Sequence, residues 1–181
     1  MPAPDDLRDQ RYNQAIDAYG AAIDRMARAW EANTEDRRDL LQEIHLALWR
    51  SFANFDGRCS LRTWVYRVAH NAATSHVLRG RRWGPKKLIS LEELDAPGSA
   101  PAGDDTSRTL ERTQILERLY ELIQRLNPLD RQVILLYLEG MDAASIGEVT
   151  GISPGYVATK IHRIKAILAD RFRNGGNHEQ R

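Results

Sequence analysis

Cysteine is nearly absent from this chain: Cys59 stands alone among 181 residues. No intrachain disulfide is possible, and a reducing compartment is the simplest setting. Also missing is any apolar run near the ~20 residues that a bilayer-spanning helix needs. The opening MPAPDDLRDQ lacks the charged-then-apolar layout of a signal peptide. These absences predict a soluble, cytoplasmic chain with no membrane insertion. Catalytic equipment is missing as well. There is no glycine-rich phosphate loop and no nucleophile spaced with a base. His45, His70, His76 and His162 lack a second cysteine or zinc-finger spacing, and Glu43-Ile44-His45 is not a zincin motif. They read as ordinary helix residues or nucleic-acid contacts. No metal, no cofactor and no enzymatic activity are expected.

Charge of one sign is scarce too, since 26 Lys/Arg against 25 Asp/Glu leave +1. The distribution is more informative. Residues 1–87 carry 15 Lys/Arg against 11 Asp/Glu, and residues 108–181 carry 11 against nine. Between them, residues 88–107 hold Glu92, Glu93, Asp95, Asp104 and Asp105 with no Lys or Arg. Two mildly basic blocks flank an acidic segment.

What is present is helical periodicity. Tyr12, Ile16, Tyr19, Ile23, Met26 and Trp30 alternate spacings of four and three, one apolar stripe on a helix from about Asp9 to Trp30. Asn33-Thr34 can cap a second helix that buries Leu40, Leu41, Ile44 and Leu48. A loop from about Ala53 to Cys59 follows. Ser60 then caps a third helix with Leu61, Trp64, Val65, Val68, Ala69 and Ala72 on its apolar side, and the Trp64 spacing favours the core. The other side presents Arg62, Tyr66, Arg67, His70, Asn71 and Thr74, and runs on into the basic cluster Arg79, Arg81, Arg82, Lys86 and Lys87. The stretch DAPGSAPAGDDTS cannot bury enough surface to offset its ordering entropy and reads as a linker. Helices resume near Thr109, with Leu110, Ile115, Leu119, Leu122 and Leu126 expected on one face and Asn127-Pro128 ending it. The expected fold is all-α: two small helical domains joined by a flexible acidic linker. The boundaries fall at 8–87, 88–108 and 109–173, with a frayed tail at 174–181.

The segment IGEVTGISPGYVATKIHRIKAIL, from Ile146 to Leu168, carries the clearest functional signal. A short helix stops at Thr150-Gly151-Ile152, Ser153 caps the next one, and Pro154 takes its first position, where a missing N–H costs nothing. Two short helices joined by a glycine turn, the second polar and basic, form the pattern of a helix-turn-helix that reads a DNA major groove. Most such helix pairs are only packing motifs. Three details favour the DNA reader. Gly147 is small where the helices would cross, Gly151 suits a left-handed turn, and Val157 can plug the crossing.

Several segments together resemble the extracytoplasmic-function (ECF) sigma factors of bacterial RNA polymerase. Asp36 to Glu43, DRRDLLQE, is similar to that family's D-x-x-D-L-x-Q-E signature. Phe55 to Trp64, FDGRCSLRTW, matches its F-D-G-R-S-S-L-R-T-W element with Cys59 in place of a serine. Leu126 to Gln132, LNPLDRQ, and the helix-turn-helix resemble its C-terminal domain. The order and spacing are the family's over roughly residues 10–85 and 110–172.

The resemblance implies a division of labour. The N-terminal domain would dock on the clamp helices of the polymerase β′ subunit through Asp36, Asp39, Leu40, Gln42 and Glu43. Arg37 and Arg38 depart from the family's usual pair and lower the negative charge there. A phosphate placed by a regulatory kinase at Thr34 or Ser51 would restore ~1.5–2 charges. The same domain would open the minus-ten promoter element. Asn54, Asp56, Arg58 and Ser60 suit a base edge, Tyr66 and Phe55 suit stacking, and Arg62, Arg67, Asn71 and Arg79 suit phosphates. The C-terminal domain would rest on the β-subunit flap and read the minus-thirty-five duplex. Ser153, Gly155, Tyr156, Thr159, Lys160 and Arg163 are the expected base contacts, and Lys165 a phosphate contact. The acidic linker would thread polymerase near the RNA exit path. The free chain is expected to be monomeric and open to an anti-sigma factor between its domains. Two other readings stay open from the residues alone: a stand-alone helix-turn-helix repressor, dimeric on a palindrome, and an adaptor that binds polymerase without reading DNA.

Overall fold

The computed structural model describes the backbone of residues 4–81 and 108–176 and the side chains of residues 6–80 and 112–171. Linker residues 88–107, Arg82, Lys86 and Lys87, the side chains of Arg81 and Leu110 and the last five residues lie outside those ranges. Seven α-helices and one 3-10 turn make up the described chain, and no strand occurs in it. The N-terminal unit contains α1 (Pro4–Trp30), α2 (Thr34–Ser51), the 3-10 turn Phe52–Asn54 and α3 (Leu61–Arg81). The C-terminal unit contains α4 (Arg108–Arg125), α5 (Pro128–Leu138), α6 (Ala143–Thr150) and α7 (Pro154–Gly176).

Caps set most of these boundaries. The Asn33 side chain accepts from the amides of Glu35 and Asp36 at 2.8 and 3.1 Å and starts α2. Ser60 accepts from the Thr63 amide at 3.0 Å and starts α3. Asn127 accepts from the Asp130 amide at 3.0 Å with Pro128 opening α5, and Asp142 accepts from Ser145 at 2.8 Å to start α6. Each supplies an acceptor to an amide the first turn leaves unpaired.

The first helix begins a turn and a half earlier than its apolar stripe predicts. Tertiary contacts account for the extension. Arg8 lies over the Trp49 ring at 3.5 Å, and the Trp49 indole donates to Asp9 at 2.7 Å. In α4 the buried face is also turned relative to expectation. Ile123 and Leu126 are buried, whereas Ile115 is half exposed. The face that meets α1 runs through Leu119 and Ile123, a spacing of four that the predicted stripe missed. At the C-terminus, α7 continues to Gly176, past the point where a tail was expected.

The buried apolar residues form one core cluster with two parts. Ile23, Met26, Trp30, Leu40, Ile44, Leu48, Phe52 and Val65 fill the N-terminal part. Ile123, Leu126, Ile134, Leu136, Ile146, Val157 and Ile164 fill the other. Trp64 packs at the edge of the first, its ring 5.2 Å from Phe55 and its indole donating to Ser51 at 2.9 Å, as its spacing predicts.

The two units also pack on each other. Helix α4 lies against α1, and α3 meets α5 and α6. Arg131 of α5 is buried and donates to the Trp30 carbonyl at 3.1 Å, to the Leu126 carbonyl at 3.1 Å and to the Gln124 carbonyl. Its guanidinium lies 4.9 Å over the Trp30 ring. A cavity of about 210 Å³ lies along this seam, lined by Met26, Tyr66, His70, Leu119, Ile123 and Leu135 among others.

Candidate nucleic-acid and polymerase interfaces

The helix-turn-helix is assembled from backbone geometry upward. Gly151 ends α6 in the left-handed conformation, φ 77°, and its amide donates to the Gly147 carbonyl at 2.8 Å. A side chain there would be strained. Gly147 is needed for a different reason: a Cβ would sit 2.7 Å from the Ile152 carbonyl, against Pro154. The Ser153 hydroxyl accepts from the Tyr156 amide at 3.3 Å, so α7 starts where the sequence places it. Val157 is fully buried in the crossing.

This crossing fixes which face of α7 is offered. Ser153, Gly155, Tyr156, Thr159, Arg163 and Lys165 are exposed. Lys160 is only partly exposed. Its ammonium sits 2.6 Å from Asp130, whose side chain is buried, and 4.9 Å over the Tyr156 ring. Burial works against that charge, but the bond to Asp130 and its attraction outweigh it, holding the Lys160 pKa above its ordinary value. Lys165 rests on Tyr137, 3.3 Å from its hydroxyl.

On α2, Asp36, Asp39 and Gln42 are exposed on one face, while Glu43 is half-buried and turned toward α3. It pairs with Arg79 and lies 3.3 Å from His76. Leu40, expected among the docking residues, is fully buried, because the helical period puts it in line with Ile44 and Leu48 against the core. Its side chain supports the face and has no surface to offer.

The loop between α2 and α3 leaves Asn54, Asp56, Arg58 and Ser60 exposed. Asp56 accepts from both the amide and the guanidinium of Arg58, and those bonds hold its carboxyl below the usual carboxylate range. Phe55 is half-buried against Trp64, with its carbonyl taken by Arg11 at 3.0 Å. Along α3, Asn71 and Arg79 are exposed, while Arg62, Tyr66 and Arg67 are covered in part by the C-terminal unit.

That covering is what sequence reasoning missed. Tyr66 and His70, expected on the open side of α3, are 3% and 1% exposed. The Tyr66 hydroxyl donates to the Glu139 carboxylate at 3.3 Å, and Arg25 of α1 grips the same carboxylate at 2.9 and 2.8 Å. Arg62 donates to the Glu139 carbonyl, and Arg67 to the Glu148 carbonyl at 2.9 Å. Burial, then the neighbouring Glu139 charge, push the Tyr66 hydroxyl up to about 12, so it remains a donor. Burial alone drives His70 down to about 3, which keeps it neutral. Arg25 and Glu139 carry no local signal in sequence, since they meet across 114 residues, and the Arg131 bond to Trp30 likewise spans 101.

The comparisons with known proteins follow the same division. Residues 15–83 match the sigma-70 region 2 model, and residues 116–168 match the sigma-70, region 4 model. RNA polymerase sigma factor CarQ of Myxococcus xanthus is 34% identical over 126 residues, covering 69% of this chain and 68% of that protein. RNA polymerase sigma-H factor of Pseudomonas aeruginosa is 30% identical over 141 residues, covering 75% and 72%. The ECF RNA polymerase sigma factor SigW of Bacillus subtilis is 24% identical over 167 residues, covering 88% and 87%.

The chain belongs to the ECF sigma factors.

As an ECF sigma factor it is an alternative sigma factor that directs promoter-specific transcription with core RNA polymerase. Sigma factors are generally non-catalytic DNA-binding regulators. A stand-alone repressor is not favoured, because residues 15–83 match a sigma region rather than a dimerisation module. The solved structure of CnrH in complex with the cytosolic domain of CnrY shares the fold at a TM-score of 0.64 and 20% identity, covering 96% of this chain and 99% of that one. No described helix of this ECF sigma factor is long and apolar enough to cross a membrane, and no described group of His, Cys, Asp and Glu could hold a metal ion.

Proposed function

We propose that promoter opening and promoter reading are divided between the two helical units, with residues 8–87 and 109–173 as the domains and 88–108 as the linker. The exposed face of α2, with Asp36, Asp39 and Gln42, docks on the β′ clamp helices. Glu43 braces that face from behind through Arg79. Asn54, Asp56, Arg58 and Ser60 hold a flipped minus-ten base, while Arg62, Tyr66, Arg67, Asn71 and Arg79 follow the melted strand. A base leaving the stack costs a few kcal/mol, and stacking on an aromatic face returns ~1–3 kcal/mol. Helix α7 enters the minus-thirty-five major groove with Ser153, Gly155, Tyr156, Thr159, Lys160 and Arg163 toward the bases and Lys165 toward a phosphate. The remainder of that unit rests on the β flap. The factor works as a monomer in the cytoplasm, where polymerase and chromosome are.

The observation that carries this reading is the exposed N-terminal half of α7, held at a crossing where Gly147 leaves no room for a side chain. Because α3 is covered by the C-terminal unit, strand capture requires the two units to separate. A protein partner that binds between or around the units would control that step, as the solved pairing of CnrH with CnrY suggests. Control by a kinase would act at Thr34, which is exposed and beside Arg37, rather than at Ser51, whose hydroxyl is already bonded to Leu48 and Trp64. In vitro transcription with purified core polymerase on DNA upstream of the factor's own gene tests the proposal. The expected result is a promoter-dependent transcript lost on Arg163→Ala. Binding of a palindromic duplex without any polymerase-dependent transcript would overturn it.

A further inference from the structure

Two residues of the N-terminal unit grip one carboxylate of the C-terminal unit, and a third takes the backbone carbonyl of the same residue. Arg25 of α1 supplies two nitrogens of its guanidinium, at 2.9 and 2.8 Å, one to each oxygen of Glu139. Tyr66 of α3 supplies its hydroxyl at 3.3 Å, and Arg62 caps the backbone carbonyl of the same residue. The guanidinium of Arg62 also lies 5.8 Å over the Tyr66 ring, which draws the two residues into one cluster. A planar guanidinium fork of this kind matches carboxylate and phosphodiester equally well, since both present two anionic oxygens to parallel N–H groups.

Resting on the reading of α3 as the strand-following helix, we propose that Arg25, Arg62 and Tyr66 form a binding site for one backbone phosphate of the melted strand. The Glu139 carboxylate occupies that site when the two units are closed. The proposal brings Arg25, a residue of α1 with no place in the sequence motifs, into the DNA-binding surface. It also explains why an acidic residue at the α5–α6 turn meets a cationic face: it stands where a phosphate would stand. The Arg25 side chain is 53% exposed, so the pair is weak and screened by salt. A polynucleotide that offers several phosphates can displace it.

The test uses the full chain and a fluorescein-labelled oligothymidylate, with anisotropy read over a range of salt concentrations. Glu139→Gln keeps the shape of the turn and removes the competing charge. It is expected to tighten strand binding by up to about fivefold at low salt, the ceiling for releasing one solvent-exposed ion pair. Adding Arg25→Gln in that background should remove the gain and reduce the log–log salt slope by about 0.7, the value for one single-strand phosphate contact. Arg25→Lys in the same background should keep the slope while losing part of the affinity, because charge survives and the fork does not. An affinity unchanged by Glu139→Gln overturns the competition. A salt slope unchanged by Arg25→Gln overturns the phosphate site, and so does an equal gain for a duplex of matched length. Promoter-dependent transcription by the unmodified factor is scored separately. Its absence would remove the strand-following role of α3, whereas its presence with a flat Arg25 response would remove only this site.

Discussion

Helices α3 and α7 both follow a serine cap and both carry a cationic face, yet they stand in opposite states. On α7 the residues at the start of the helix point to solvent, and the crossing beneath them is closed by Gly147 and Val157. On α3, Arg62, Tyr66 and Arg67 are each bonded to the other unit. On the proposed reading, the duplex-reading surface is open in the resting molecule and needs no rearrangement, whereas the strand-following surface is spent on internal contacts. The contrast matches the substrates. A duplex is always present to be read, but a melted strand exists only after polymerase has engaged, so a surface for it can stay covered until then.

The comparison can be broken first at the root of α7. Asp130→Ala leaves the Lys160 ammonium partly buried without its anion, and loss of a buried partner costs about 3–5 kcal/mol. Urea denaturation should show that loss, and a change below about 1 kcal/mol would mean the pair does not pin the helix. Because the Lys160 pKa is raised, the pair's contribution should be complete at neutral pH and fade only as the pH climbs past the ordinary lysine value of 10.5.

Next in size is the crossing itself. Gly147→Val drives carbon into the Ile152 carbonyl and should destabilise the C-terminal unit by about 1–3 kcal/mol, as overpacking does. Thermal melting measures the effect. Duplex binding should fall while oligothymidylate binding holds or improves, and equal losses in both would show that the two surfaces are not separable.

The seam offers a third handle through pH. Burial holds the His70 pKa at about 3 in the fold against 6.5 when unfolded, so the unfolded chain binds the extra proton first as the medium acidifies. Stability should be unaffected above 6.5 and fall by about 1.4 kcal/mol for each pH unit below it, down toward 3. Denaturation midpoints at several acidic pH values check the slope, and His70→Leu should flatten it.

Smallest is the stability carried by the Arg25–Glu139 pair. Arg25→Gln should change the unfolding free energy by less than about 1 kcal/mol, since the pair is open to water. Calorimetry that returns several kcal/mol would make the contact a structural one and blur the contrast between α3 and α7.

Much of this was legible in the residues themselves. Asn33, Ser60 and Ser153 cap the helices that their positions announce, and Gly147, Gly151 and Val157 meet the demands of the crossing. These are local effects, readable within about ten residues. The Trp64 spacing also identified a core position correctly. What could not be read depends on long-range packing. Leu40 fits a docking motif and a core stripe equally until the helix is seen to turn it inward. Tyr66 and His70 belong to an open face until a second domain closes over them, and Ile123 sits one position from Leu122 in a stripe that looked complete without it. Nothing near Arg25 or Glu139 in the chain reveals that they meet.

Arg131 gives the seam unequal edges. Its guanidinium is riveted to the carbonyl ends of α1 and α4, away from water, whereas Arg25 and Glu139 meet where ions can reach them. Added salt therefore loosens one edge and leaves the other nearly untouched. A door fitted this way swings on the Arg131 side and unlatches at Glu139. Ionic strength alone, with no partner bound, should set how far it stands ajar.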